Sequence, residues 1–381
     1  MSERPKFTIL LPAKGRPALI REALLSILRQ SFSDFEVIFS NNGSDPAIYN
    51  EISDLLTDSR TIYVEQSNVL PMPDHWERIS KLARGEYITV VPDRSVLKQG
   101  ALTTISELHA EGGSDAEIVT WSWDLYFDQH RILKPFAGNA GAPAIIGSEE
   151  AALASLGTAA SYPAALPRGL NSSVHRLVLE EIRLRAGAAF SALTPDFSFA
   201  FACLLVRPRF THIDCALSIS QGLAVSNGGN AYKSDASSYL GSLGLDHPIR
   251  YSPIPLPFVE NVIAEDFFAA CHRFDRLDLI DRLDRAGLYL RCLAELEVKR
   301  NAKLLPPDRL AEFAAVLESA LATETAELRA RVAAARPKFS IRSALKRVLG
   351  DRVEHIRPLL LQLRRGRRFA SALEAAGHTA S

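Results

Sequence analysis

The sequence predicts an α/β protein whose mostly parallel, twisted sheet is flanked by helices and followed by a helical C-terminal extension. Between positions 6 and 110, short apolar runs that end in turn-forming residues alternate with segments of helical periodicity. That alternation is typical of strands joined by right-handed helical crossovers, which make neighbouring strands parallel. From Ala264 to Ala335 the periodicity is helical almost throughout, with a break at Leu305. We therefore predict an α/β domain at 1–260, a helical extension at 261–335 and a C-terminal arm at 336–381.

Each element of the α/β domain follows from its own pattern. The run KFTILL at Lys6–Leu11 ends at a proline and is typical of a buried strand. Pro17 suits the first turn of a helix, and FEVIF at Phe35–Phe39 predicts a second strand before the turn formers SNNGSD. The further predicted elements are helices at Ile48–Leu56, Trp76–Ala83, Ala101–Ala110, Ser148–Leu156 and Val174–Ala186, and strands at Thr61–Val64, Tyr87–Val91, Ala116–Phe127 and Thr211–Ser220. The rest of 135–170 is predicted as loop, and Phe197–Val206 fits either a helix or a strand.

Composition and cysteine spacing exclude several classes of protein. An apolar fraction of 47% and a charged fraction of 23% over 381 residues are those of an ordinary globular protein. The four cysteines lie far apart and form no CxxC pair, which argues against a zinc site and a disulfide framework and fits a reducing, cytoplasmic compartment. The N-terminal apolar run is too short for a signal peptide. Since the sequence has no apolar run of about 18 residues, we expect no transmembrane helix.

The formal net charge of zero conceals a basic segment at 336–368. Eleven Lys or Arg residues there stand against two acids, so this segment carries +9 and the remainder −9. Apolar residues at near-helical spacing between the basic ones suit a helix on an anionic membrane surface. Packing on the protein's own domain or on a second subunit explains the pattern equally well, and the helical extension suits either a spacer or a homodimer interface. No zinc pattern, aromatic platform or known motif supports nucleic acid as a partner.

Polar segments follow three of the predicted parallel strands, where an open α/β sheet holds its ligands. The first strand runs into PAKGRP at Pro12–Pro17, in which Lys14 or Arg16 suits a phosphate group. The second strand runs into SNNGSD at Ser40–Asp45, and the strand after Gly85 ends in a proline and Asp93. Ordinary turns explain each segment taken alone, but their repetition at strand ends predicts a ligand site.

In their order along the chain, these segments resemble the motifs of family 2 glycosyltransferases. LPAKGRP is similar to the family's P-T-Y-N-R-P, SNNGSD to V-D-D-G-S-T-D, and GEYITVVPDRS to G-E-Y-I followed by D-x-D, with Ser95 in place of the second acid. A Pro-Asp step at Asp196 follows 103 residues after Asp93, where the family carries a general base. The resemblance covers residues 6 to about 230 and implies a GT-A-like fold for the α/β domain.

The resemblance also implies a binding site for a nucleotide-sugar donor. Pro12, Lys14 and Arg16 would lie in the loop that contacts the base and ribose. Asn41 stands where the family has an acid that accepts a hydrogen bond from the base, and an amide can accept through its carbonyl; Asn42 beside it would also contact the donor. An Asn-Gly turn is the structural alternative for this segment.

The acidic motif of the family implies a divalent metal that bridges the donor's diphosphate. Mg²⁺ or Mn²⁺ would then have Asp93 as its protein carboxylate, with Arg94 beside the donor. Two alternatives remain open from the residues alone: Arg94 neutralises the leaving group without metal, or Asp93 only caps a turn.

An inverting transfer needs one carboxylate to take the proton of the acceptor hydroxyl, and the resemblance assigns that role to Asp196. A helix N-cap is the structural alternative, and the two roles are compatible. Runner-up bases are Asp214 and Asp124. Weaker candidates are Trp123 or Asp124 facing a sugar rather than the core, Asp74 or His75 reaching the base, and a lid or plain turn at Ser226–Gly229.

Taken together, the resemblance implies an inverting glycosyltransferase that moves a sugar from a nucleotide-diphosphate sugar to a glycan or lipid-linked acceptor in surface polysaccharide synthesis. It would be cytoplasmic and peripheral on the inner face of the cell membrane. A non-catalytic nucleotide-sugar binder is the alternative, because Ser95 and Asn41 replace acids of the motifs. A Rossmann oxidoreductase would require G-x-G-x-x-G after the first strand, and PAKGRP does not supply it.

Overall fold

One sheet organises the protein in the computed structural model, which describes residues 4–136, 138, 142–156, 165–191, 193–221, 233–245, 248–335 and 367–378. Its strands are β1 (Phe7–Ala13), β2 (Phe35–Asn42), β3 (Thr61–Gln66), β4 (Tyr87–Val90), β5 (Ser95–Leu97), β6 (Ile118–Phe127), β7 (Ile132–Lys134), β8 (Ala144–Gly147), β9 (Ser172–His175), β10 (Arg209–Ser220) and β11 (Arg367–Arg368). They run in the order β11-β7-β6-β9-β4-β1-β2-β3, and β10 pairs with β5, β6 and β8.

Helices cover both faces of this sheet and form the C-terminal extension. They are α1 (Pro17–Leu28), α2 (Pro46–Ile52), α3 (Met72–Ser80), α4 (Ala101–Glu111), α5 (Ser148–Leu156), α6 (Arg176–Ala186), α7 (Pro195–Val206), α8 (Ser237–Gly241), α9 (Val259–Arg273), α10 (Leu277–Arg282), α11 (Arg285–Asn301), α12 (Pro307–Ala322), α13 (Ala326–Ala335) and α14 (Ala372–Ala375). Prolines stand in the first turn of α1, α2, α3, α7 and α12, where the missing N–H costs no hydrogen bond.

The strands β1 to β4 confirm the predicted parallel α/β core. β1 lies between β2 and β4 and is parallel to both, and β2 is parallel to β3. Side chains alternate between two cores: Ile9 and Leu11 pack on the side of α1 and α2, whereas Leu10 and Ile38 pack on the side of α3, α6 and α7. Because both faces are buried, these strands are continuous apolar runs, and their carboxyl ends meet at one edge.

The helical extension packs directly on the α/β domain. Phe267 of α9 meets Phe201 of α7 edge to face at 5.3 Å, and Phe258 meets Phe313 of α12 at 5.4 Å. Aromatic pairs of this kind stabilise a contact beyond the burial of their area. None of the described helices is both long enough and apolar enough to span a bilayer. Helix α9 begins at Val259 and therefore crosses the predicted domain boundary at residue 260, which stays a prediction.

Two predictions differ from the structure in part. The helix expected at Val174–Ala186 begins only at Arg176, because Ser172–His175 forms β9, antiparallel to β4 and β6. Ala144–Gly147 forms β8 against β10 within the segment predicted as loop. Both strands have four residues, too few for a clear period, and pairing in the sheet stabilises them. The choice that the sequence left open at Phe197–Val206 is resolved as helix α7.

The chain returns to the sheet at its C-terminal tail, residues 367–378. β11 pairs antiparallel with β7, and the Tyr126 hydroxyl donates to the Phe369 carbonyl at 2.9 Å. The Gln99 amide donates to the Ala376 carbonyl at 2.9 Å, next to β5. The tail also buries Ala372 and Ala376 against Val96, Tyr126, Leu133 and Ile219. This part of the predicted basic arm therefore packs on its own domain, and residues 336–366 lie outside the described residues.

Candidate active site

A cavity of about 900 Å³ opens at the carboxyl ends of β1, β2 and β4. The loop after β1, the segment Pro92–Ser95 and the start of α7 line it, and Val259, Val262 and Ile263 of α9 form an apolar wall. Of the site residues predicted from the sequence, those that line this cavity are Pro12, Lys14, Arg16, Asn42, Asp93, Arg94 and Asp196. The parallel strands bring these side chains together from positions far apart in sequence.

Asp93 pairs with an arginine of the first motif. Its Oδ2 lies 3.0 Å from Nη2 of Arg16, and its side chain is only 4% exposed. Burial raises the pKa of Asp93, whereas the charges of Arg16 and Arg94 lower it. The left-handed backbone at Gly15, with φ of +64°, turns the loop after β1 across the strand ends so that Arg16 reaches Asp93.

Arg94 is fixed by neutral partners on the neighbouring strand. Its Nη1 donates to the Ser220 hydroxyl at 2.7 Å and to the Gln221 carbonyl at 3.3 Å. The backbone carbonyl of Arg94 in turn accepts from the Gln221 amide at 3.0 Å. Burial lowers the pKa of this guanidinium, and the charge of Asp93 opposes that change. Strand β10 therefore orients Arg94 without neutralising its charge.

Arg168 belongs to the site, and sequence reasoning missed it. Its Nη1 lies 3.8 Å from Oδ2 of Asp196, and its guanidinium lies 4.9 Å from the ring centre of Trp123. Trp123 is half-buried and lines the cavity rather than the core. Arg168 lies within an Ala-, Gly- and Pro-rich stretch whose composition predicts only loop. No motif marks it, although a lone arginine between prolines and glycines was a weak signal.

Asp196 lies in the first turn of α7 and faces the cavity. The N-cap of this helix is Thr194, so the expectation that Asp196 is itself the cap is wrong. Burial raises the pKa of Asp196, and the charge of Arg168 is the main influence that lowers it. Its side chain remains 18% exposed, which leaves the carboxylate accessible from the cavity.

The extension fixes the turn that leads into Asp196. Asp266 of α9 accepts hydrogen bonds from the amides of Leu193 and Thr194, at 2.9 and 2.8 Å, and from the Thr194 hydroxyl. The Tyr239 hydroxyl donates to the Leu193 carbonyl at 2.5 Å. Burial raises the pKa of Asp266 to about 8, and these three donors oppose the change. The start of α7 is thus held by the helical extension.

The second motif divides its two asparagines between different tasks. Asn41 is fully buried and lies outside the cavity lining, because its amide donates to the Asp45 carbonyl at 2.9 Å and to the Tyr63 hydroxyl at 3.1 Å. Asn42 lines the cavity, and its side chain bonds both the amide and the carbonyl of Leu70 at 2.9 Å. Asn42 therefore shapes the cavity wall beside Leu70, and Asn41 stabilises the turn.

His75 also lines the cavity, and its Nε2 lies 2.8 Å from the Ser40 hydroxyl. Burial, with the charges of Lys14 and Arg78, lowers the pKa of His75 to about 4, so the imidazole is neutral at pH 7. Asp74 lies in the same helix but outside the cavity lining.

The runner-up bases are placed elsewhere. Asp124 is buried, with its Oδ2 2.5 Å from Lys98 Nζ and its Oδ1 accepting from the Phe136 amide at 2.7 Å. Neither Asp124 nor Asp214 lines the cavity. The predicted lid or turn at Ser226–Gly229 lies outside the described residues.

The residues at Asp93 do not fit a divalent cation. Mg²⁺ and Mn²⁺ prefer several hard oxygen ligands, often including one or two carboxylates. Here the one carboxylate of the motif is paired with Arg16, Ser95 replaces the second acid, and Arg94 adds a further positive charge. Within the described parts of the chain, no three His, Cys, Asp or Glu side chains converge as metal ligands.

Comparison with known proteins agrees with this geometry. Residues 8–135 match the family described as Glycosyl transferase family 2. A Campylobacter jejuni protein, GalNAc(5)-diNAcBac-PP-undecaprenol beta-1,3-glucosyltransferase, is 30% identical over 110 residues, which are 28% of this chain and 36% of that protein. The crystal structure of S. aureus TarS has a similar fold, with a TM-score of 0.50 and 12% identity over 89% of this chain and 53% of that chain.

The chain spans about a third of the Campylobacter relative and about half of TarS. At 12% identity, the likeness to TarS concerns the fold alone. The match of the family to residues 8–135 includes the loop after β1, the end of β2 and the Asp93 segment, which are the strand ends that form the cavity. Residues 8–135 are therefore similar to glycosyltransferase family 2, and the chain has a GT-A-like α/β fold.

Proposed function

We propose that this protein transfers a sugar from a nucleotide-diphosphate sugar to a hydroxyl group of a glycan or lipid-linked acceptor, with inversion, in surface polysaccharide synthesis. One observation carries the proposal: the candidate base Asp196 and the cationic group Arg94 line the same cavity as the loop after β1. An in-line displacement requires that the general base and the site for the leaving group lie in the same cavity. The match of residues 8–135 to the family supports the same reaction class.

Asp196 acts as the general base in this mechanism. Its carboxylate takes the proton of the acceptor hydroxyl as that oxygen bonds the anomeric carbon, and the bond from this carbon to the diphosphate oxygen breaks. The electron pair of the broken bond leaves with the nucleoside diphosphate. Arg168 favours the ionised form of Asp196, since its positive charge opposes the rise in the Asp196 pKa that burial causes.

The donor would enter along the loop after β1. Pro12, Lys14 and Asn42 line that end of the cavity, and His75 beside them is neutral and able to share hydrogen bonds with a base. Arg16 and Arg94 lie where the diphosphate would follow. The predicted roles of these residues in donor binding rest on this arrangement and on the family motifs.

A lipid-linked acceptor is supported by the name of the Campylobacter relative, which acts on a PP-undecaprenol-linked glycan. The acceptor would enter between Trp123, Phe197 and the apolar wall of α9, since these residues line the cavity beside Asp196. Such an acceptor suits a cytoplasmic protein at the inner face of the membrane, approached through the basic segment 336–368. A homodimer through the extension stays a prediction.

A non-catalytic nucleotide-sugar binder is the second candidate. The ion pair between Asp93 and Arg16 and the inward-facing Asn41 favour it, because both residues stand where the family's motifs carry acids that act on the donor. This candidate predicts tight nucleotide binding without turnover.

The substitution Asp196→Asn separates the two candidates. A thermal-shift screen of UDP, GDP, CDP and dTDP first identifies the bound nucleotide, and hydrolysis or transfer of the matching nucleotide sugar is then measured. We expect Asp196→Asn to lower turnover by about 10² to 10⁴-fold, since a general base contributes that much, while nucleotide binding is retained. Asp278→Asn, at an exposed carboxylate that pairs with Arg276, is the matched control. If the wild type binds a nucleotide but gives no turnover with EDTA, Mg²⁺ or Mn²⁺, the binder is the correct function.

A further inference from the structure

We infer that the guanidinium groups of Arg16, Arg94 and Arg168 bind the donor's diphosphate and that this binding needs no divalent cation. The inference rests on the proposed function, since it specifies how the same cavity holds its nucleotide. It departs from the family's acidic motif, which implies a metal at Asp93. It also adds Arg168, a residue outside every motif of the sequence.

The charge of the cavity matches a diphosphate without metal. Among the described residues, its charged lining consists of Lys14, Arg16, Arg94 and Arg168 against Asp93 and Asp196, a net charge of +2. A nucleotide-diphosphate sugar carries two negative charges on its phosphates, so the pair is balanced when the donor binds. A divalent cation would add a further charge of +2 beside three guanidinium groups, and like charges in a partly enclosed site repel.

Asp93 has a different role in this arrangement. A carboxylate that ligates a metal must direct an oxygen at the cation, whereas Oδ2 of Asp93 lies 3.0 Å from Nη2 of Arg16. Oδ2 is buried and is held to Arg16 by charge, without a hydrogen bond, so a metal at this atom would have to displace the guanidinium from its contact with the carboxylate. Asp93 is therefore a positioning residue that orients Arg16 toward the cavity.

Arg94 is prepared to bind an anion. A guanidinium carries five N–H donors in a planar fork, and in the described residues its hydrogen bonds to Ser220 and Gln221 both use Nη1. Both partners are neutral oxygens, so they fix the orientation of the side chain and leave its charge for a ligand. A phosphate can then accept two parallel hydrogen bonds from the same group.

Arg168 approaches from the side of Asp196. Its guanidinium lies 4.9 Å from the ring centre of Trp123 and 5.2 Å from that of Phe197, and these rings hold it in one plane. Its distance of 3.8 Å from the Asp196 carboxylate is long for a hydrogen bond. Arg168 therefore has the geometry to contact both the base and the departing diphosphate.

Titration calorimetry tests the inference on the full chain. The nucleoside diphosphates UDP, GDP, CDP and dTDP, with the matching monophosphates, are titrated in EDTA and again in Mg²⁺ or Mn²⁺. We expect one diphosphate to bind in EDTA with a Kd within about twofold of its value in metal, because protein charges alone complement its phosphates. Binding of every diphosphate only in the presence of metal would overturn the inference and leave the proposed function intact. Absence of binding under all conditions would overturn both.

The substitution Arg94→Gln identifies the group responsible. It should weaken the diphosphate about tenfold or more and the monophosphate much less, since one charge-assisted bidentate contact to the diphosphate is lost. Arg168→Gln is the second variant, for use if Arg94→Gln fails to fold by thermal unfolding, and the same selective loss is expected. Arg209→Gln, at an exposed arginine that pairs with Asp115, is the matched control. Equal weakening of mono- and diphosphate in both cavity variants would contradict the assignment to the diphosphate.

Discussion

At the scale of single residues, the family motifs combine structural and chemical roles that the sequence does not separate. Gly85, which opens the GEYI motif, lies against the first strand: a Cβ there would stand 2.4 Å from the Thr8 backbone nitrogen and 2.7 Å from the Phe7 carbonyl carbon. Its amide donates to the Thr8 hydroxyl at 2.8 Å, and that hydroxyl donates to Glu36 at 2.7 Å. Gly85 is therefore needed for β4 to approach β1, not for contact with the donor.

The substitution Gly85→Ala should lower the free energy of unfolding by roughly 1–3 kcal/mol, because overpacking against backbone atoms forces the strands apart. Chemical denaturation measures the change. Gly241→Ala is the matched control, since no atom lies within 4 Å of a Cβ at Gly241. A loss as large in the control as in Gly85→Ala would show that steric contact with β1 is not the cause.

At the scale of secondary structure elements, buried histidines that pack between helices and strands make the stability of the protein depend on pH. His109 of α4 connects its helix to the sheet. Its Nδ1 donates to the Ala116 carbonyl at 2.6 Å, and its Nε2 accepts from the hydroxyl of Ser173 in β9 at 2.9 Å. Its ring stacks on Tyr87 with the centroids 3.6 Å apart. Burial lowers the pKa of His109 to about 3, so the imidazole stays neutral in the folded protein.

We therefore expect His109 to lower the stability as the pH falls from 7.5 to 5.5, whereas the buried acids Asp266 and Glu295, with pKa values raised to about 8 and about 7, act in the opposite direction. In the unfolded chain His109 titrates near its ordinary pKa of about 6.5 and binds a proton in this range, whereas in the folded protein it does not. The share of each such histidine is a fall of about 1.4 kcal/mol in the free energy of unfolding, and His75, with a pKa lowered to about 4, adds to the share of His109.

Urea denaturation of the wild type and of His109→Gln at both pH values isolates the share of His109. His109→Gln should remove the share of His109 from the difference between the two pH values, whatever its effect on stability at pH 7.5. His130→Gln, at an exposed histidine in a turn, is the control. An equal reduction in the control would contradict the assignment of the pH dependence to His109.

At the scale of the whole molecule, the C-terminal tail packs against β5 and α1. His378 Nε2 lies 2.9 Å from the Leu97 carbonyl of β5, and the Leu373 amide donates to Glu22 of α1 at 3.2 Å. β5 begins at Ser95, one residue after Arg94, and pairs with β10, whose Ser220 accepts from Arg94. The tail therefore supports β5 and, through the pairing of β5 with β10, the strand whose Ser220 orients Arg94.

Removal of residues 367–381 should weaken nucleoside diphosphate binding and lower the thermal unfolding midpoint. Truncation exposes the apolar cluster around Val96, Tyr126 and Ile219 and removes the hydrogen bonds to β5. Tyr126→Phe, which deletes only the bond to the Phe369 carbonyl, is the milder variant and should give a smaller effect in the same direction. A folded truncated protein with unchanged nucleotide affinity would contradict this role of the tail.

The sequence predicted the fold of the first half well and the cavity in part. The strands β1, β2 and β4 and their terminal loops carry local signals, since apolar runs and turn formers act over a few residues. Arg168 and Asp266 lack such signals, because each acts through a contact distant in sequence: Arg168 with Asp196, and Asp266 with the turn before α7. The inward orientation of Asn41 was also unpredictable, since it depends on Tyr63 of the neighbouring strand.

The tail also has a kinetic consequence. Its bonds to Leu97, Tyr126 and Glu22 join residues that are 281, 243 and 351 positions apart. Contacts of such long sequence separation form late and slowly, because the entropy of closing the intervening chain is lost before they are made. During refolding from denaturant, the helical signal should thus recover before the affinity for nucleotide, and partly folded molecules would contain the loop after β1 but would bind a diphosphate only weakly.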